Sequence, residues 1–543
     1  MSKAKLGAVA LGALRSNVAT RRWPLATISV ISTNRLLPLL LLSGVLVSGC
    51  STVSRHFPTD SGSLAADPVR VLDRMSWGAN PSSAREVMRM GIGQYIASQL
   101  KPDATPDLPQ AVEAQIAAMT ITQKSLLPLV GQLEQQRKEA DTIKSDEDKK
   151  AAQQSYQQEL TRLAREASTR ALLRALYSSN QLREQMTWFW FDHFNVHQYK
   201  ANLRAMVGDY EDRAIRPHAL GHFRDLLRAV VYHPAMLIYL DNAQNAAGRI
   251  NENFAREVME LHTLGVDGGY SQRDVQELAR ILTGVGVNLG SITPNVKREL
   301  QSQYLRDGLF EFNPNRHDYG DKQFLGQRVQ GAGLKEVDEA LDRLARLPST
   351  ARFISRKLAT YFVSDDPPSA LVERMAGEFE RSDGDIAATL AALFASPEFA
   401  ASLGGKFKDP IHYVVSAVRL AYDDKPILNA GPMINWLNRM AEPLHGRQTP
   451  DGYPMTSAAW ASPGQMATRF EIAKAIGTGS AGLFRGEAPS TGERPAFPQL
   501  SNALFYGSLQ PKLSKPTIEA LDQANSPQEW NTFLLASPEF MNR

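Results

Sequence analysis

The sequence predicts a mainly α protein, a large helical domain with one small β-hairpin excursion near residues 310–329. Two observations carry the helical part. Apolar side chains recur at helical spacing, as in Phe254, Val258, Leu261 and Leu264, or Tyr156, Leu160, Leu163 and Ala167. Cap-type residues stand where such runs start and stop: Ser271 precedes Val275, Leu278, Ala279 and Leu282, while Gly265 and Gly284 follow apolar runs. A third observation marks the exception. Phe310-Glu311-Phe312 alternates, Asn313-Pro314-Asn315 breaks the chain, and Lys322-Gln323-Phe324-Leu325-Gly326 reads as extended again, with residues 317–320 in the loop between.

From the N-terminus, residues 1–49 read as a signal peptide. They carry six basic residues and no acid, and residues 36–47 form a mainly apolar run behind Arg35 that is short for a membrane span. The run ends in Val47-Ser48-Gly49-Cys50, which is similar to a bacterial lipobox, in which the cysteine is lipidated and becomes the mature N-terminus. Cys50 is the only cysteine of the 543 residues. The lipobox implies a lipid anchor at Cys50, attachment to the outer membrane facing the periplasm or cell surface, and a mature protein without a thiol. The formal charge of +3 is set by the leader: without it the chain has 54 basic and 57 acidic residues. That balance gives no footing for nucleic-acid binding.

Residues 50–67 read as a flexible tether of Ser, Thr, Gly, Pro and Asp. A helical domain is expected over 68–484. Within it, the charge-rich stretch 132–170 predicts a long, mostly solvated helix or hairpin arm, with residues 144–148 as its turn or exposed face. Residues 251–284 read as helix–loop–helix, and helices resume past Gly331. Ala395-Ser396-Pro397-Glu398-Phe399 recurs at 536–540, best read as shared helix-start chemistry. Residues 485–543, with Pro489, Pro495, Pro498 and Pro511, are expected to be a C-terminal extension packing on the main domain.

The densest chemistry lies in residues 251–265. On a regular helical wheel Glu257 falls inside the apolar stripe, and an acid so placed must be paired, hydrogen-bonded or protonated. Glu260 follows one turn later. A buried Glu257 beside an ionised Glu260 would suit general acid catalysis; the alternative is a structural ion pair with an arginine such as Arg213, Arg216 or Arg280. His262, in the last turn, is placed to meet the helix carbonyls as a cation. His193 and His197 stand four apart, so a helix would project both to one side as metal ligands; the alternative for His193 is a satisfied core histidine. His317 and Asp318 sit on the expected loop, where the acid could orient the imidazole as a base; the alternative is an Asp-initiated turn. No nucleophile elbow, phosphate loop, dinucleotide glycine pattern or Cys/His zinc signature is present.

Several ordered blocks together resemble the bacterial "domain of unknown function 1800" family. They are W-F-W-F-D-H-F-N-V (188–196), R-P-H-A-L-G-H-F-R-D-L-L (216–227), H-P-A-M-L-I-Y-L-D-N (233–242), the block from Asn251 to Tyr270, H-D-Y-G-D-K-Q-F-L-G (317–326) and A-R-F-I-S-R-K-L (351–358). The resemblance covers roughly residues 70–480, with Val285 where the family usually has tryptophan. The resemblance implies an exported bacterial protein without an established activity. It also implies a possible exported partner of the "domain of unknown function 1501" family, whose members resemble sulfatases or phosphatases. Two functions remain open: an envelope hydrolase acting on an extracellular or envelope polymer through a carboxylate/His site, or a non-catalytic binding or assembly partner. The sequence implies no particular cofactor.

Overall fold

Proline and small polar residues write many of the helix starts. Asp67 caps α1 (Pro68–Met75), accepting from the Val69 N–H at 2.9 Å, and Pro68 occupies the first helical position, where its missing N–H is no loss. The same pairing recurs at Ser396-Pro397, Asp409-Pro410, Ser462-Pro463 and Ser526-Pro527. The computed structural model describes residues 67–101, 107–290, 292–486 and 497–543. The expected signal peptide, Cys50 and all of the tether but Asp67 therefore lie outside the described residues.

The architecture is mainly α with small β-hairpin excursions. The charge-rich stretch forms a helical hairpin of α2 (Leu126–Thr142) and α3 (Asp146–Tyr177). Ser145 caps α3, and Asp146, Glu147 and Asp148 sit at its electropositive end. Tyr156, Leu160, Leu163 and Ala167 are the buried stripe, as their spacing predicts.

α4 (Gln181–His193) is different in kind. Every residue except Arg183 and Asp192 is buried, so the helix has no solvent face and runs through the core. α5 (Asn253–Glu257) continues directly into a π-helical turn, Val258–Thr263. Gly265, at φ +83°, then turns the chain, and a side chain there would strike the Phe353 ring. Ser271 opens α6 (Gln272–Ile281) with a capping box closed by Asp274.

Both extended segments near 310–329 exist, but they do not pair with each other. β1 (Val285–Val287), β2 (Leu305–Asp307) and β3 (Phe310–Phe312) form an antiparallel sheet of order β1-β3-β2, with Val285 opposite Phe312 and Leu305 on its other side. β4 (Lys322–Phe324) makes its own hairpin with β5 (Gln327–Val329), Lys322 facing Val329. Helices then resume with α7 (Leu334–Ala345), α8 (Pro348–Phe362), α9 (Ser369–Arg381) and α10 (Ile386–Phe394). Asp385 caps α10 through the Ala388 N–H at 2.9 Å, so the acidic run 382–385 is helix-start chemistry.

α11 (Pro410–Tyr422) is a second core helix, buried from Pro410 to Leu420. α12 (Pro463–Gly477) packs against α13 (Pro527–Leu535), and the buried Asn531 amide donates to the carbonyls of Gly477 (3.2 Å) and Pro498 (2.7 Å). Among the described residues no helix is long and apolar enough to cross a membrane.

Candidate active site

The two core helices deliver polar groups to places where apolar side chains would pack without cost. At the end of α4 stand Asp192 and His193. Phe194 caps the helix in a non-helical conformation, and the chain leaves it as Asn195–Gln198. The i, i+4 geometry expected for His193 and His197 therefore does not form. His197 lies beyond the helix, next to the Tyr199 ring at 5.5 Å, and its buried Nδ1 has no hydrogen-bond partner among the described residues.

His193 is engaged on both ring nitrogens. Lys357 of α8 donates from Nζ to His193 Nδ1 at 2.9 Å, and His193 Nε2 lies 3.0 Å from the His262 carbonyl. An ammonium on Nδ1 requires an acceptor there, so the proton sits on Nε2 and the ring is neutral. Burial, then the Lys357 charge, holds the imidazole well below its ordinary pKa.

Asp192 and Lys357 are surrounded by protein, yet each keeps part of its surface open to solvent. Asp192 Oδ1 accepts from the Tyr453 N–H at 2.6 Å. Burial pushes its carboxyl up to about 7, against the pull of that hydrogen bond and of Lys357 and Arg447. Burial brings the Lys357 ammonium down to about 8, opposed by Asp192 and Asp451. An acid and an amine are thus driven toward the same range.

The loop that covers Asp192 is built for close approach. At Gly452, φ is +78°, and a Cβ there would lie 2.3 Å from the Asp192 carbonyl oxygen. Asn195 anchors the loop, its amide donating to the carbonyls of Arg447 (3.0 Å) and Thr449 (2.8 Å). The Arg447–Asp451 ion pair spans it at 3.0 Å. Tyr239 donates to the Gln448 carbonyl at 2.8 Å; its phenol is raised by burial and then by the charge of Glu257.

Glu257 reaches this neighbourhood from the other side. It is half-buried, and among the described residues it has no hydrogen bond or ion pair. Burial raises its pKa, followed by repulsion from Glu260. The arginines considered as partners are committed elsewhere: Arg213 to Asp209, Arg216 to Glu184 and Asp107, Arg280 to Glu277 and Asp318. Glu260 stands with Glu252 on either side of Arg256, each at 3.2 Å.

The wheel's placement of this segment needs correction. Phe254, Val258 and His262 are buried, as are Ala255, Met259 and Thr263: the buried positions repeat every four residues. The π turn widens the helix and brings residues four apart into line. Leu261, expected in the core, is half-buried with Glu257, and His262, expected as a cation at the helix end, is fully buried. Burial and Lys357 depress the His262 ring to about 3, and neither nitrogen has a hydrogen-bond partner among the described residues.

His317 and Asp318 do not form a dyad. His317 is buried, with Nδ1 2.7 Å from the Thr283 carbonyl and Nε2 2.9 Å from Glu336 Oε1. Lys322 makes an ion pair with the other Glu336 oxygen. Asp318 pairs with Arg280 at 2.8 Å. The two neighbours in sequence thus serve separate networks at the β4 end of the small sheets.

Sequence reasoning passed over Asp192 and Lys357, and a second buried group beside them. Asp409 caps α11 and lies 2.7 Å from His412 Nδ1. Burial opposes its ionisation, but His412 and Arg543 hold it at about 2. Glu442 accepts from the Ile411 N–H at 2.8 Å and is pushed well up by burial and by Asp409. A lone acid inside the apolar run 188–194 was the available signal for Asp192. Among the described residues no group of three or more His, Cys, Asp or Glu side chains is disposed to hold a metal ion.

These features define a helical scaffold with a half-enclosed acid–base cluster at the end of its central helix. The chain belongs to the family described as a protein of unknown function (DUF1800), whose family model matches residues 70–542. The match runs past the motif-bearing stretch and takes in α13. Neither the curated proteins nor the solved structures yield a match.

Proposed function

We propose that the chain is a bacterial cell-envelope hydrolase, lipid-anchored through Cys50, whose acid–base pair is Asp192 and Lys357. The observation that carries this reading is the convergence of an acid raised to about 7 and an amine lowered to about 8. Near neutral pH such groups can each give or take a proton. In hydrolysis the unprotonated member takes a proton from water, the water oxygen bonds to the electrophilic centre, and the protonated member gives its proton to the departing oxygen. His193 positions Lys357. Glu257, half-buried and unpaired, supplies a second carboxylate on the rim, with Glu260 held back by Arg256. His317 and Asp318 support the scaffold in this reading.

The test assays Asp192→Asn and Glu257→Gln against a panel of peptidoglycan, exopolysaccharide and lipopolysaccharide. We expect Asp192→Asn to keep its fold and lose roughly 10²-fold or more of turnover, the usual contribution of a general acid or base. Wild-type turnover in a folded Asp192→Asn protein overturns the reading. Anchoring is tested by Cys50→Ser, which should release the protein from membranes.

The α2–α3 hairpin, charged outside its one buried stripe, favours a second reading: a non-catalytic binding or assembly partner of an exported sulfatase- or phosphatase-like protein. Co-purification with a co-expressed exported protein of the 1501 family, lost when the exposed acids of the hairpin are neutralised, would support it. So would a wild-type chain inert on the whole panel.

A further inference from the structure

A separate cavity of about 290 Å³ lies between α1, α11 with the residues just before it, and α13 with the segments on either side of it. It shares no residue with the Asp192 cluster and does not rest on the reading above. Its walls are largely aliphatic, from Val69, Leu420, Leu509, Leu513 and Leu534, with the Phe540 ring on one side.

One buried cation lines it. Lys408 is 2% exposed, and its Nζ lies 4.0 Å from the Phe540 ring centroid. Its only charged partner among the described residues, Asp73, stands 3.9 Å away, and those residues offer the ammonium no hydrogen bond. An ammonium has three donors, and burying them unmet is unfavourable. The acids of the wall have hydrogen-bond donors of their own. Asp73 accepts from the Ala79 N–H at 3.3 Å, and Glu539 accepts from the Ser514 N–H and the Thr517 hydroxyl, each at 2.8 Å. Arg70 and Lys512 add two more cations at the lining, Lys512 paired with Asp67.

We infer that this cavity binds a small amphiphilic carboxylate, its anionic head on Lys408 and its alkyl chain against the leucines. A carboxylate supplies the acceptors that Lys408 lacks, and the walls suit a saturated chain. At roughly 30 Å³ per non-hydrogen atom, taking the volume share of a water as the measure, the space holds about ten such atoms, the size of octanoate.

The test is calorimetric titration of the full chain with octanoate, octanol and acetate. Octanoate should bind saturably at one site, with octanol about tenfold weaker or more for want of a charge-assisted hydrogen bond and acetate weaker still for want of the buried alkyl chain. Lys408→Met should weaken octanoate by a similar factor and leave octanol unchanged. Leu513→Trp, which fills the cavity and keeps Lys408, should abolish octanoate binding and decides the matter if Lys408→Met does not fold. Equal binding of octanol and octanoate, undiminished binding to Leu513→Trp, or no saturable octanoate binding overturns the inference.

Discussion

Asp192→Asn should stabilise the protein, and by an amount that depends on pH. The carboxyl is raised from 3.8 to about 7 in the fold. Below pH 3.8 it is protonated in both states and contributes nothing. Between 3.8 and 7 the unfolded chain releases the proton while the folded chain keeps it, so stability falls as pH rises, levelling off above 7. A displacement of about three units, at about 1.4 kcal/mol each, puts the full penalty near 4 kcal/mol. Asparagine keeps an oxygen for the Tyr453 N–H and removes the titration. The loss of a counter-charge for Lys357 works against the gain and trims it. Urea unfolding of wild type and variant at pH 4, 6 and 8 reads the difference, in which other carboxylates cancel. The variant should gain on wild type by up to about 4 kcal/mol between pH 4 and pH 8. A difference that does not change with pH refutes the raised carboxyl, and the acid–base reading loses its central observation. Latent instability of this kind at the proposed acid–base pair would be the usual trade of stability for activity.

Three further outcomes are expected. Gly452→Ala, at φ +78° and facing the Asp192 backbone at 2.3 Å, should displace the covering loop; we expect a lowered melting temperature together with lost turnover, whereas a neutral result would mean the loop does not press on Asp192. Glu336→Gln leaves Lys322 and His317 without their carboxylate and should cost about 3–5 kcal/mol, with turnover per folded molecule unchanged. Because His317 and Lys322 hold the Glu336 carboxyl below its ordinary value against the effect of burial, its stabilisation is present above about pH 4.5 and lost as pH falls through the lowered pKa; denaturation of wild type and variant across pH 3–6 should converge at the acid end. Ser271→Ala should remove one cap from α6 and cost about 1 kcal/mol, read by thermal unfolding.

The helical class was legible because its signals are local: the stripe of α3, the capping box at Ser271 and the turn at Gly265 need nothing from the rest of the chain. Strand pairing was not. Phe310–Phe312 and Lys322–Phe324 were recognisable as extended, but β3 finds partners at 285–287 and 305–307, and no short-range pattern encodes that choice. His193 and His197 failed as a pair because the helix stops at His193, where buried aromatic packing and not a glycine or proline sets the end. Asp192 was hidden for a related reason. A helix buried on all sides, with Gln181, Glu184 and Gln185 in the interior as well, has no single apolar stripe against which an acid looks misplaced, whereas Glu257 lies on a helix whose stripe marks it.

The π turn joins what the sequence kept apart. With regular helical spacing Val258, Leu261 and Leu264 would share the core face and His262 would turn toward the end of the helix. The turn instead aligns His262 beneath Phe254 and Val258, brings its carbonyl to His193 Nε2, and leaves Glu257 on the half-buried edge near Tyr239 and Asp451. The carbonyl fixes the His193 tautomer, that tautomer presents Nδ1 as an acceptor, and the acceptor holds Lys357 in place. One widened turn therefore couples the block from Asn251 to Tyr270 to the blocks that carry Asp192 and Lys357. Local departures of this kind gather at functional sites. The position of Glu257 on the rim and the orientation of Lys357 in the interior are then two consequences of one backbone feature, which ties the acid first noticed in the sequence to the pair that carries the proposed chemistry.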